Sequence, residues 1–237
     1  MTVSPTARHV KDLGLASDDP TVRIYQTNER QTFHADSCDI VALACLRDAK
    51  HGGESLLCSA LSVYNEVRAR GRDDLAAALL QPIAIDRRGE VPAGMEPFFM
   101  MPPLSWHEGR LGVGAGYQRQ YIDSAQRFPS APRLSGLQVE ALDLFDSLLD
   151  DPAYHFSMRL RPGDMQFCYN HTLLHDRCAF VDWPEPERRR QLFRLWLSPP
   201  GDRPLPEAFA ARFGATTVGD RGGIHCPGTA LTVPLTV

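Results

Sequence analysis

Residues 190–197 read Arg190-Gln191-Leu192-Phe193-Arg194-Leu195-Trp196-Leu197. Successive side chains of an extended chain point to opposite sides. Phe193, Leu195 and Leu197 therefore share one face, and Arg190, Leu192, Arg194 and Trp196 the other. This is a strand, apolar on both faces, with a guanidinium in its middle. A buried guanidinium without a partner is very costly. Arg194 needs either an internal Asp or Glu, or the carboxylate of a ligand gripped bidentately.

The segments upstream are of the same kind. Cys38–Leu46 is a nearly continuous apolar run that suits a buried strand. Gly52-Gly53 marks a turn, and Ser55–Cys58 reads as a second short strand. His155–Leu160 alternates, with Phe156, Met158 and Leu160 on one face. Pro162-Gly163 is a turn, and Met165–Asn170 is extended. Two stretches are helical. Ser59–Arg70 spaces Leu61, Tyr64 and Val67 by three and stops at Gly71. Ser135–Leu149 carries the stripe Leu137, Ala141, Leu144, Phe145 and Leu148 behind a Ser135 cap. Both stripes read as core packing. The 19 prolines and 18 glycines fit a fold with many turns. Short strands with one or two supporting helices predict a β-rich sandwich or barrel. Residues 1–22 carry few apolar positions and predict a loose or peripheral N-terminus.

The chain has 237 residues, 43% of them hydrophobic and 23% charged, and a net charge of −4. That suffices for one domain with a sizeable core and argues against disorder. No apolar run approaches the ~18 residues of a membrane span, and residues 1–14 contain no apolar core of an export signal. The mild acidity, without a long basic cluster, argues against nucleic acid as a partner. Six cysteines form no Cys-x-x-Cys pair, which predicts reduced thiols and a cytoplasmic protein.

Three features carry chemistry. His34-Ala35-Asp36 places an imidazole and a carboxylate on the same side of an extended segment; alone, it is equally a polar strand end. Asn170-His171-Thr172-Leu173-Leu174-His175-Asp176-Arg177 offers two histidines that compete to complete a set of two His and one carboxylate. Such a set binds non-haem Fe(II) on one face and leaves the other positions open. The third feature is Arg194 in its strand. No Gly-x-Ser-x-Gly nucleophile motif is present, which weakens a hydrolase reading.

In combination these residues resemble the taurine dioxygenase and 2,4-D dioxygenase (TauD/TfdA-like) family of Fe(II)/2-oxoglutarate-dependent oxygenases. The matching stretches are Phe33-His34-Ala35-Asp36, Gly52-Gly53-Glu54-Ser55, Gly163-Asp164, Asn170 to Arg177, and Arg190 to Trp196. Together they span roughly residues 22–200. The resemblance implies a mainly β fold with supporting helices, a double-stranded β-helix (jelly roll) of the clavaminate synthase-like kind, forming one domain over residues 1–237. It implies His34, Asp36 and His175 as iron ligands, with His171 outside the set. It implies Ser55 beside 2-oxoglutarate, Arg194 on the distal carboxylate of that co-substrate, and Arg190 near the same end. The implied cofactor is Fe(II), with 2-oxoglutarate as co-substrate and O₂ and a small molecule as further reactants.

The implied reaction is oxidative decarboxylation of 2-oxoglutarate to succinate, coupled to hydroxylation. Only 33 residues precede His34, fewer than the resemblance leads one to expect. The alternative is accordingly a shortened, non-catalytic member acting as a binding or scaffold protein. An uncovered sheet edge or apolar groove, covered in a homo-oligomer, is a further expectation. Tyr25, Asn28 and Arg30 either face the pocket or are ordinary strand and loop residues. Tyr117, Arg119 and Tyr121 belong either to a lid or to a solvated loop.

Overall fold

The computed structural model describes residues 2–15 and 22–222. In chain order the first half comprises β1 (Thr2–Val10), β2 (Gln31–His34), β3 (Ile40–Arg47), β4 (His51–Gly52), β5 (Ser55–Ser59), α1 (Ala60–Ala69), α2 (Asp73–Ala78), β6 (Ile83–Asp86), β7 (Phe98–Met101), β8 (Leu104–His107) and β9 (Arg110–Val113). There follow α3 (Arg119–Ala125), α4 (Gly136–Asp150), β10 (His155–Met158), β11 (Met165–Tyr169), β12 (Leu173–Arg177), β13 (Phe180–Val181), β14 (Gln191–Ser198) and α5 (Ala210–Phe213). Four strands form one antiparallel sheet in the order β1-β14-β3-β11. Four others form a second in the order β10-β5-β12-β2. The two sheets are the halves of a jelly roll.

Side-chain parity divides the core into layers. Between the sheets, Val41, Cys168 and Trp196 cluster with Cys38, and Val10, Tyr25, Cys45 and Leu192 form a second group. The outer face of the second sheet, with Phe33, Leu56, Cys58 and Leu174, packs against α1 and α4 through Val63, Val67, Leu142 and Phe145. Each such buried side chain contributes about 1.5–3 kcal/mol. Ser59 caps α1 by accepting from the Ser62 amide at 3.3 Å. Ser135 and Gln138 form a reciprocal capping box on α4. Within α4 the buried stripe is Ala141, Leu142, Phe145, Leu148 and Leu149. Leu137, at its start, is 44% exposed because the first turn overhangs the sheet.

Three expectations need correction. The N-terminus is peripheral but not loose: β1, at the sheet edge, pairs with β14 from Thr2 opposite Ser198 to Val10 opposite Leu192, while residues 1 and 16–21 of this stretch lie outside the described residues. What holds it is the backbone ladder along an otherwise open edge, which needs no apolar pattern. Phe156 is 64% exposed despite its alternating context, because β10 is the outermost strand of its sheet. Residues 117–125 are not a solvated loop: they include α3, and Tyr121 borders a cavity beside His34 and Asp36. Tyr117 is fully buried and donates to Asp146 Oδ1 at 2.9 Å. Arg119 opens α3, held by Asp123, Asp143 and Asp146.

Candidate active site

His34 ends β2 and stands opposite His175 of β12 in register, with ring centroids 4.0 Å apart. Asp36 follows two residues later. One donor atom from each of His34, Asp36 and His175 lies within 4.8 Å of the others, and all three residues are buried. His34 Nδ1 donates to the Thr32 carbonyl at 2.9 Å, which fixes the tautomer and leaves the Nε2 lone pair facing inward. The Gln31 amide nitrogen lies 2.9 Å from that Nε2. Burial holds the His34 imidazole below its ordinary range. Burial and the neighbouring His34 push His175 down to about 3. Burial would raise Asp36, but Arg194, both histidines and Trp196 outweigh it and hold the carboxyl at about 2. Two neutral imidazoles and one carboxylate are thus presented together, the donor set that a divalent iron takes.

Cavities lie on both sides of this group. One is lined by Ser55, Gln166, His175, Arg177, Arg190 and Arg194. The other is lined by Arg23, Ser37, Phe99, Tyr121, Trp196 and Arg212. Tyr25, Gln31, His34 and Arg194 border both. Arg194 projects from β14 toward the metal-ligand group, as its parity requires. Its charge is answered internally: Nη1 lies 3.2 Å from Asp36 Oδ2, an oxygen that also accepts from Trp196 Nε1 at 2.8 Å. The guanidinium stacks over Tyr25 and Trp196 at 4.7 and 5.2 Å.

Arg190 and Arg177 are different. Arg190 is 4% exposed, and its Nη1 has no hydrogen-bond partner among the described residues. Arg177 donates to the Glu29 carbonyl through Nη2, while its Nε and Nη1 have no partner. Burial lowers Arg190 to about 10. Burial, then repulsion by Arg190, lowers Arg177 to about 9. Ser55, buried, sits opposite Arg177 in register. The turn at 52–53 makes room for this corner. Both glycines have positive φ; a Cβ on Gly52 would lie 2.2 Å from the Ala179 carbonyl oxygen, and one on Gly53 3.1 Å from Arg190 Nε.

Sequence reasoning gave Arg177 no role. Its signal was present, since Arg177 lies two residues beyond His175 on the same strand and so on the same face. Of the residues before His34, Tyr25 faces the cavities, whereas Arg30 turns away to Asp176 and Asp150 at 2.7 and 2.6 Å. Asn28 uses its carbonyl to accept from the Phe180 amide.

His171 lies elsewhere. Its Nε2 is 2.7 Å from Asp39 Oδ1, while Ser198 and Arg221 also donate to Asp39. Asp39, His171 and Asp202 form a second group of the right types and spacing for a metal. The Arg221 guanidinium occupies it, 2.9 Å from Asp39 and 3.4 Å from Asp202.

Residues 2–196 match the family described as taurine catabolism dioxygenase TauD, TfdA family. The chain is 35% identical over 194 residues to FR-33289 synthase of Streptomyces rubellomurinus (strain ATCC 31215), covering 80% of this chain and 56% of that protein. It is 31% identical over 180 residues to uridine-5'-phosphate dioxygenase of an Amycolatopsis species, covering 72% of this chain and 62% of that protein. It therefore spans little more than half the length of these relatives. Among solved structures, asparagine oxygenase in complex with Fe(II), 2S,3S-3-hydroxyasparagine and succinate shares the fold, with a TM-score of 0.58 at 18% identity over 79% of this chain and 55% of that one. The non-heme iron oxygenase OrfP in complex with Fe and alpha-ketoglutaric acid shares it at a TM-score of 0.55 and 16% identity, over 80% of this chain and 55% of that one. By sequence and by fold the chain belongs to the TauD/TfdA family.

Proposed function

We propose that the chain is a single-domain Fe(II)/2-oxoglutarate-dependent dioxygenase that hydroxylates a small molecule: 2-oxoglutarate, O₂ and R–H give succinate, CO₂ and R–OH. One observation carries the reading. Three buried metal-ligating side chains converge beside two buried arginines whose N–H groups lack an anion. His34, Asp36 and His175 would hold the iron, which when bound supplies the oxygen chemistry that couples the decarboxylation to C–H oxidation.

The remaining work is done by the chain's own groups. Trp196 and Arg194 hold the Asp36 carboxylate in one orientation and keep it ionised. Arg190, with Arg177 and Ser55, receives the distal carboxylate of 2-oxoglutarate, because that is where a five-carbon diacid finds unanswered N–H donors. Arg194, expected from sequence to be that clamp, borders the same cavity and supports the co-substrate while being neutralised by Asp36.

The relatives named for FR-33289 synthesis and for uridine-5'-phosphate support a small, polar substrate. Five free cysteines, four of them buried, support a cytoplasmic setting; Cys226 lies outside the described residues. No helix among the described residues is long and apolar enough to cross a membrane. A homo-oligomer belongs to the same proposal: Met165 and Phe167, 68% and 59% exposed, leave an apolar face on the β11 edge of the first sheet. Light scattering that returns one protomer's mass would remove that part alone.

The decisive experiment loads the chain with Fe(II) and ascorbate and follows 2-oxoglutarate. Slow succinate release without any prime substrate is expected. Neither succinate nor an Fe(II)–2-oxoglutarate absorption band would favour the non-catalytic alternative.

A further inference from the structure

The cavity on the side of the metal-ligand group away from Arg190 has a charge imbalance of its own. Arg23 and Arg212 both point to Oε2 of Glu90, so two guanidinium groups share one carboxylate oxygen. Among the described residues, the other polar contact of the Arg212 side chain is a 2.8 Å hydrogen bond from Nε to Ser37 Oγ, and Arg23 also faces the Tyr121 ring at 5.3 Å. Asp86 also borders the cavity, but Ser124 and Arg127 neutralise it from behind. Asp36 is committed to Arg194. Arg87 adds a further cation nearby, stacked like Arg212 on Phe99 and hydrogen-bonded only to the carbonyls of Glu96 and Ala211. Burial, then Arg23, pulls Arg212 down to about 10, as expected of a cation without a full counter-charge.

The position of this imbalance matters. Arg212 and Glu90 border the metal-side cavity and also an outer cleft formed with Arg87, Pro92 and Met95. They are the wall between the two. Glu90 stands on the β6–β7 connection, just after Arg88 and Gly89, both of which have positive φ. Its carboxylate occupies the spot between two guanidiniums where another oxyanion would fit.

We infer that Arg23 and Arg212 form an anion subsite, and that the prime substrate carries an anionic head group held there while its reacting carbon faces the metal-ligand group. This rests on the dioxygenase reading and adds the class of substrate to it. The head group meets donors from Arg23, Arg212 and Ser37, and Glu90 is the internal competitor that it displaces or stands beside. Uncharged analogues leave the surplus charge unanswered and bind weakly.

Calorimetric titration of the full metal-free chain tests this without depending on turnover. The probes are methylphosphonate, acetate and acetamide. Saturable binding of at least one anion and none of acetamide is expected; the ranking of methylphosphonate against acetate tells a tetrahedral head group from a planar one. Arg212→Gln and Arg23→Gln should each weaken the anion about tenfold or more. The titrations are run in excess succinate, which fills the 2-oxoglutarate corner, and Arg68→Gln, at an exposed ion pair with Asp73, is the variant that should leave anion binding unchanged. Glu90→Gln should tighten anion binding several-fold, a gain that misfolding cannot imitate. Acetamide binding as well as the anions, Glu90→Gln leaving affinity unchanged, or, in excess succinate, Arg212→Gln binding the anion as well as the unaltered chain does would each overturn the inference. A chain that binds methylphosphonate in this pattern but releases no succinate would refute the dioxygenase reading and leave the subsite standing.

Discussion

Among the described residues, two groups of three imidazole and carboxylate side chains could each hold a metal: His34, Asp36 and His175, and Asp39, His171 and Asp202. The first has two imidazoles and one carboxylate, the second one imidazole and two carboxylates, and both have the spacing of a metal site. Their surroundings separate them. Arg221 lies inside the second group, and Ser198 takes one more lone pair, so its charges are already answered. The first group has cavities on both flanks, and its cation, Arg194, approaches from outside the ligand cluster. Ligand-type residues make a structural knot when a protein cation fills the centre, and a metal centre when the centre is left open.

The sharpest way to break this comparison is to delete one imidazole from each group. His175→Ala should weaken Fe(II) about a hundredfold or more. His171→Ala should leave iron affinity within about twofold, but destabilise the fold by about 1–3 kcal/mol, because Asp39 loses a buried donor. Iron titration and thermal unfolding of both variants read the two effects. Equal loss of iron in both would erase the distinction.

Next in size is the arginine contrast. Arg190→Met should cost 2-oxoglutarate on the order of 2–5 kcal/mol, since a buried carboxylate loses its partner. Arg194→Met should cost the co-substrate less and should weaken iron, by releasing Asp36. Titrating the Fe(II)–2-oxoglutarate band in both variants decides the order; the reverse ranking would return the clamp to Arg194.

The pH dependence of stability sharpens the same point. His175 titrates at about 3 in the folded chain, well below its ordinary value of 6.5. The unfolded chain therefore takes up the proton first as pH falls. The metal-free protein keeps this contribution above about 6.5 and loses it progressively toward 3. His175→Gln should flatten the unfolding profile between those limits. An unchanged slope would mean that the imidazole is not held neutral. The smallest effect concerns Gln31, whose amide competes for the His34 lone pair. Gln31→Leu should tighten iron only a few-fold, the worth of one hydrogen bond.

Much of this was legible from sequence wherever one strand or helix carries its own pattern. The alternation of 191–197 gives β14 and the side on which Arg194 stands, and Ser135 with the following stripe gives α4. What was illegible depends on contacts between distant segments. Thr2–Val10 becomes a strand only because β14 offers an open ladder. Arg119 starts a helix whose charge is answered by aspartates of α4. Arg194 and Arg190 look alike in sequence; only Asp36, reaching Arg194 from another segment, shows which of them has its charge answered at home.

Arg30 joins Asp176, the residue after His175, to Asp150 at the end of α4. The strand that carries His175 is therefore tethered from behind to the last turn of α4. The link to α4 is solvent-exposed and contributes at most about 1 kcal/mol, so it biases the position of β12 without locking it. The position of the candidate ligand His175 is thus set in part by a helix end packed on the outer face of its sheet.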